Sequence, residues 1–152
     1  MGKIFQTACL GMGMTLATVA MAQTAPEAPL AVRANDLNLK WGSCPPIFSG
    51  DCAIAVLHGD PARPNADVFL RIGAGTAMPT HHHTSAERMV LVRGKLRVHY
   101  RGAAAAFLAP GDYAYGPAGL AHSATCLGRQ RCILFIAFEG PVDALPDADP
   151  LD

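Results

Sequence analysis

The chain predicts an all-β domain of the sandwich or barrel class. Three observations carry this. Short apolar runs are punctuated by turn residues, with 15 glycines and 12 prolines in 152 residues. Several runs alternate with period two, as in Val68, Leu70 and Ile72 against Phe69 and Arg71, which is the signature of a half-buried strand. Beyond the N-terminal apolar stretch, no segment shows a helix-period apolar stripe. A length of 152 residues suits one domain, and a hydrophobic fraction of 51% is ample for a core. The 12 basic and 12 acidic residues cancel, so composition offers no electrostatic case for nucleic acid or an anionic membrane surface.

Taken in order, residues 1–22 read as a signal peptide. Lys3 supplies the positive start, Ile4 to Val19 are largely apolar, and Ala20-Met21-Ala22 forms a small-residue cleavage site before Gln23. A membrane anchor is the weaker reading, because no run reaches the roughly 18 apolar residues of a spanning helix. Cys9 lies in the apolar stretch without a convincing lipobox. The expected location is therefore periplasmic or secreted, with no membrane attachment after cleavage. Residues 23–35, rich in Ala and Pro, read as a flexible leader. The folded domain is expected over 36–140. A first short strand falls at 36–41, followed by a Pro/Gly loop over 42–50 that carries Cys44. Strands follow at 52–58 and 67–72, separated by a loop with Pro61 and Pro64. Residues 88–93 and 95–101 flank Gly94 as a hairpin. Further strands fall at 103–108, 113–115, 121–126 and 132–139. Residues 141–152 are acidic and Pro-rich and read as a surface tail.

Past the signal segment four cysteines remain: Cys44, Cys52, Cys126 and Cys132. Four cysteines allow three pairings. The favoured one joins Cys44 to Cys52 and Cys126 to Cys132, the second pair closing a polar turn between two strand-like runs, where cross-strand Cα separations suit a disulfide. The alternative is a free thiol beside the site described next.

Two segments carry chemistry. The first runs from Gly75 through His81, His82 and His83 to Glu87, with Gly94 beyond. The second runs from Gly111 through Pro117 and Gly119 to His122. Residues i and i+2 of a strand share a face, so His81 and His83 point the same way. Glu87 keeps that parity if the strand stays regular through Ser85. His122 must then arrive from a neighbouring strand. Imidazoles suit Zn, Cu, Fe and Ni, and a carboxylate extends the range toward Mn. His81, His83, Glu87 and His122 are therefore candidate ligands for one divalent metal ion (Mn, Fe, Ni, Cu or Zn).

These segments resemble the two motifs of the cupin superfamily. Gly75, His81, His83, Glu87 and Gly94 match every element of the first. Gly111, Pro117, Gly119 and His122 match the second, but Cys126 stands where its asparagine would be, a departure a disulfide staple would account for. The matched span, Gly75 to Cys126, implies a single cupin-type jelly-roll β-barrel. The remainder is similar to small secreted cupins, including relatives of the cupin domain in anti-sigma factors. The resemblance implies a metalloenzyme of dioxygenase or decarboxylase type, acting on a small oxygenated molecule, in which Glu87 doubles as acid or base. It equally allows a non-catalytic metal or ligand sensor, since fold alone does not select function. The neutral charge balance weighs against an anti-sigma role. Expected partners are a small-molecule ligand or substrate and, for assembly, a second copy of the chain as a homodimer.

Other residues carry plainer expectations. Parity sends His82 outward, away from the ligand set. His58 and His99 lie on strands without a partner motif. Tyr113 and Tyr115 either pack or line the pocket. Arg71 and Arg93 are surface charges unless one turns inward to hold a carboxylate. Trp41 is a packing residue near the barrel mouth.

Overall fold

A computed structural model describes residues 27–149 and 151. The expected signal segment with Cys9, and the leader through residue 26, lie outside the described residues. The chain divides into two units, Met1–Leu30 and Ala31–Asp152. Of the first, residues 27–30 are described and are exposed.

The second unit is all-β. Its strands are β1 (Gly42–Ser43), β2 (Cys52–His58), β3 (Ala66–Ile72), β4 (Ala77–His82), β5 (Glu87–Arg93), β6 (Leu96–Tyr100), β7 (Ala106–Leu108), β8 (Tyr113–Gly116), β9 (His122–Cys126), β10 (Cys132–Phe138) and β11 (Leu145–Pro146). They form two antiparallel sheets. One has the order β1-β2-β3-β10-β5-β8, the other β11-β4-β9-β6-β7. The result is a two-sheet sandwich, with no ladder joining the sheets among the described residues.

The strand β10, paired on both sides, sets the core. Leu134 lies between Leu70 and Leu91, and Ile136 between Val68 and Met89, in continuous register. The facing sheet supplies Met78, Leu96, Val98 and Cys126. Leu91 and Leu96 are both fully buried, each stabilising the fold by about 1.5–3 kcal/mol relative to exposure.

Four expectations change. Residues 36–41 hold no strand: Leu37 and Asn38 form a turn, in which the Asp36 carboxylate accepts from the Asn38 amide at 2.8 Å, the local bond by which Asp and Asn favour turns. Pairing begins only at Gly42. Residues 88–93 and 95–101 are not a hairpin, because β5 and β6 belong to different sheets. Gly94, at φ +93°, turns the chain from one sheet to the other, and a Cβ there would meet Cys132 Sγ and the Arg131 carbonyl at 2.9 Å. Both favoured disulfides are present, each with a Cα separation of 5.7 Å. Cys126–Cys132, however, links β9 to β10 across the two sheets rather than pairing neighbours in one. Finally, within the expected tail, Leu145 and Pro146 form a strand. They pair with His82 and His81, so this segment adds an edge strand beside the histidines.

Candidate metal centre

Each candidate ligand is placed by a different local device. His81 lies on β4 opposite His122 on β9, but the pairing slips between Met78 and His81. A β-bulge of this kind re-aims side chains. It lets Met78 and His81, three residues apart, both face the interior. His83 lies just past the end of β4. The chain then bends at Thr84 and Ser85 and enters the other sheet at Glu87. The expected regular strand through Ser85 is therefore broken. Glu87 reaches the same space from the opposite wall, because it opens β5 with Met89 and Leu91 on its inward face.

The four side chains are almost fully buried: His81 and His122 are 4% exposed, His83 8% and Glu87 2%. Each histidine is held by a backbone carbonyl. His81 Nδ1 donates to Pro79 O at 2.7 Å and His122 Nδ1 to Leu120 O at 3.2 Å, while His83 Nδ1 donates to the Asp143 carbonyl. A carbonyl can only accept, so each Nδ1 carries the proton and each Nε2 is left as a lone pair. A carbonyl holding Nδ1–H in this way fixes the ring so that Nε2 can face a metal. One ring nitrogen from each of the three lies within 4.8 Å of the others. Glu87 abuts two of them, at 3.4 Å from His83 Nε2 and 3.3 Å from His122 Nε2.

Electrostatics agree with this geometry. Burial lowers His81 to about 3, with His122 and His83 adding repulsion, and lowers His122 to about 4. Burial likewise lowers His83. All three are neutral near pH 7. Burial pushes the Glu87 carboxyl up to about 8, and its Oε1 has no hydrogen-bond donor. A buried carboxylate facing unprotonated imidazole nitrogens is costly unless a cation compensates it. The donor set, three neutral imidazoles and one carboxylate, fits a divalent ion.

A cavity of about 60 Å³ adjoins these groups. Its walls are aliphatic, including Ile54, Leu70, Leu96, Val98, Ala124 and Ile136. The loops contribute Phe48, whose ring meets His81 edge-on at 4.8 Å, and Val142 and Asp143. The polar lining consists of His81, His83, Glu87, His122 and Asp143.

His82 turns away, as parity requires, and its Nδ1 pairs with Asp147 at 2.6 Å. His99, opposite Ser123, takes no part in the cluster. Tyr113 and Tyr115 do not line the cavity; they are 57% and 47% exposed. The tyrosine beside the site is Tyr100, opposite His122 in register with rings 5.2 Å apart. Burial, then the nearby Glu87 charge, raises its pKa above the usual tyrosine range. Arg71 and Arg93 face outward, and Trp41 stacks on Arg71 rather than at the mouth. Sequence reading also missed Gly116, which faces Glu87 in register. A Cβ there would meet Glu87 Cγ and Oε1 at 2.9 Å, so the residue must lack one. Its place beside Pro117 was the available signal. Nothing local marked Asp143, since its role depends on a contact with a residue 60 positions earlier.

Two facing antiparallel sheets with three histidines and a glutamate converging between them define a cupin. The chain belongs to the ChrR cupin-like domain family, whose model matches residues 30–143. Solved structures of the same fold include the DMSP lyases RdDddP and RnDddQII, at 20% identity and TM-score 0.63, covering 72% of this chain and 62% of that one. An RmlC-like cupin from Shewanella frigidimarina matches at 20% identity and TM-score 0.57, covering 69% and 86%. Oxalate decarboxylase from Bacillus subtilis, solved in work on its Mn(II) centres, matches at 21% identity and TM-score 0.54, covering 64% and 28%. The chain thus spans under two thirds of the DMSP lyase chain it matches. No curated protein matches the sequence.

Proposed function

We propose that the protein is a secreted or periplasmic metal-binding cupin that acts on a small oxygenated molecule. His81, His83 and His122 would hold one divalent ion, with Glu87 as fourth ligand. The observation that carries this is the convergence of three carbonyl-anchored histidines on a buried carboxylate lacking a donor. The Mn(II) centres named for oxalate decarboxylase occupy the same fold, and this donor set suits Mn, Fe, Ni, Cu or Zn alike. Two disulfides fit an oxidising compartment, which supports the reading of residues 1–22 as a signal peptide. A second copy of the chain is the proposed partner in assembly.

When bound, such an ion supplies Lewis acidity or activates water or dioxygen. The chain's own residues do the rest. The aliphatic walls exclude bulk water and would receive a small, mainly apolar body. Glu87, which holds its proton to about pH 8 without a cation, would be the group able to hold or release a proton at the reacting end. The Asp143 carbonyl keeps His83 in the Nδ1-protonated form. The chemistry favoured is dioxygenase-like or decarboxylase-like.

One observation favours a second reading, a non-catalytic metal or ligand sensor. A volume of about 60 Å³ corresponds to only about four to six water positions. The test is elemental analysis of protein purified from its own compartment, beside His81→Ala, followed by dioxygen-uptake and carbon-dioxide-release screens with small carboxylic and enolic acids. About one equivalent of Mn, Fe, Ni or Cu, lost in the variant, together with turnover, supports the enzyme. Metal without turnover supports the sensor. No metal in either protein removes both.

A further inference from the structure

The outer face of the larger sheet carries a second concavity, apart from the metal centre. Arg71 of β3 and Arg93 of β5 flank Ile133 of β10 in one register row. With strands about 4.8 Å apart, the two arginine Cα atoms stand roughly 10 Å apart across Ile133. Arg131 joins them from the turn before β10, and Ala34 to Leu37 with Trp41 form the other wall. The cleft measures about 430 Å³. Its floor is apolar: Ile133 is 5% exposed. The Arg71 guanidinium lies 4.5 Å from the Trp41 ring centre, which holds that head group in place. Among the described residues, no carboxylate pairs with Arg93 or Arg131. The one acid lining the cleft is Asp36, whose Oδ1 accepts from the Asn38 amide. Three arginines and one aspartate leave the cleft with two uncompensated positive charges (3 − 1 = 2).

We propose that this cleft binds a small organic dianion, its two acid groups held by Arg71, Arg93 and Arg131 and its carbon body resting on Ile133. The guanidinium fork matches a carboxylate bidentately, the charge is complementary, and the apolar floor between the arginines suits a short hydrocarbon spacer. The inward neighbours of these residues, Leu70, Ile72 and Leu134, line the metal-side cavity, so the two sites share strands but not a surface. This inference does not depend on the metal reading.

Trp41 is the chain's one tryptophan, so its fluorescence reports this cleft. Succinate is titrated against the full chain at low ionic strength, with inorganic phosphate and acetate as comparison probes. Saturable quenching or enhancement by succinate is expected, weakened about tenfold or more in Arg93→Ala/Arg131→Ala. Asp36→Asn should tighten binding. Arg97→Ala, on the other sheet, should leave it unchanged. Unchanged melting temperature and disulfide content in the variants separate lost binding from lost fold. Phosphate binding as tightly as succinate would overturn the role of the apolar floor. No saturable signal, or equal weakening by Arg97→Ala, would overturn the site as a whole.

Discussion

The space between the sheets has two ends, both closed off from bulk solvent, built on opposite principles. At one end Leu91 and Leu96 are fully buried; at the other Glu87 is 2% and His122 4% exposed. The same strands supply both: β5 carries Glu87 and Leu91, and β9 carries His122 and, opposite Leu96, Cys126. Burying the aliphatic end stabilises the fold directly. Burying the histidine end costs free energy unless a cation occupies it. Equal burial therefore has opposite energetic sign along one strand, and the polar end holds together because the aliphatic end, the disulfides and the backbone carbonyls impose it.

The comparison breaks most visibly at the aliphatic end. Leu96→Ala should cost about 2–5 kcal/mol by denaturant unfolding, and the same amount with or without metal. A cost that depends on metal would mean the two ends are not separable. Next comes chelation. Removing metal from wild-type protein held at a thousandfold excess over Kd should cost about 4 kcal/mol and lower Tm, whereas His122→Ala should show no chelator effect.

Acidity sharpens the contrast, because titration should concern one end alone. Without a cation Glu87 holds a proton to about pH 8, and binding must displace it. Metal affinity should rise about tenfold per pH unit from roughly pH 5 upward and level off above pH 8, read by competition with a chromophoric chelator. The apo protein follows the opposite course. Its Glu87 value is raised from 4.5 to about 8, so apo stability should fall as pH rises through that window. The lowered histidines, from 6.5 to about 3 and about 4, should erode apo stability as pH falls below 6.5. A pH-independent metal affinity would remove Glu87 from the ligand set. Gly116→Ala should then weaken metal binding about tenfold while costing about 1–3 kcal/mol, because its Cβ would push directly on Glu87 Cγ and Oε1. The smallest effect belongs to His82→Ala, which should keep full metal content and cost less than about 1 kcal/mol. Metal loss there equal to that of His81→Ala would sink the division into inward and outward histidines.

What the sequence made legible follows from locality. β3 places Val68, Leu70 and Ile72 on one face and Phe69 and Arg71 on the other, and its inward residues could be read directly, whereas β10 is apolar throughout, so its run marked a strand without marking its faces. The candidate ligand set was readable because its members sit at fixed spacings within two short segments. The route of Glu87 was not: period two assumes one continuous strand, while a bulge before His81 and a bend at Thr84 and Ser85 replace it with two strands in different sheets. The false hairpin at Gly94 has the same origin, since a glycine turn between two strand-like runs looks alike whether the chain folds back within a sheet or crosses to the other. Residues 141–152 read as a tail because Pro and Asp suggest solvent. Only the folded chain shows Asp143 and Asp147 meeting histidines about 60 positions away.

That last contact sets an order of events in time. His81, His83 and Glu87 emerge during synthesis well before the segment that completes their surroundings. Until residues 142–147 have been made and laid beside β4, His83 lacks the carbonyl that fixes its proton and the histidines lack their cover of Val142 and Asp143. The site is assembled from early and late parts of the chain, so capture of the proposed ion would follow folding, in whatever compartment the finished domain occupies. The ion proposed for the site would then be set by that compartment's supply as much as by the candidate ligands themselves.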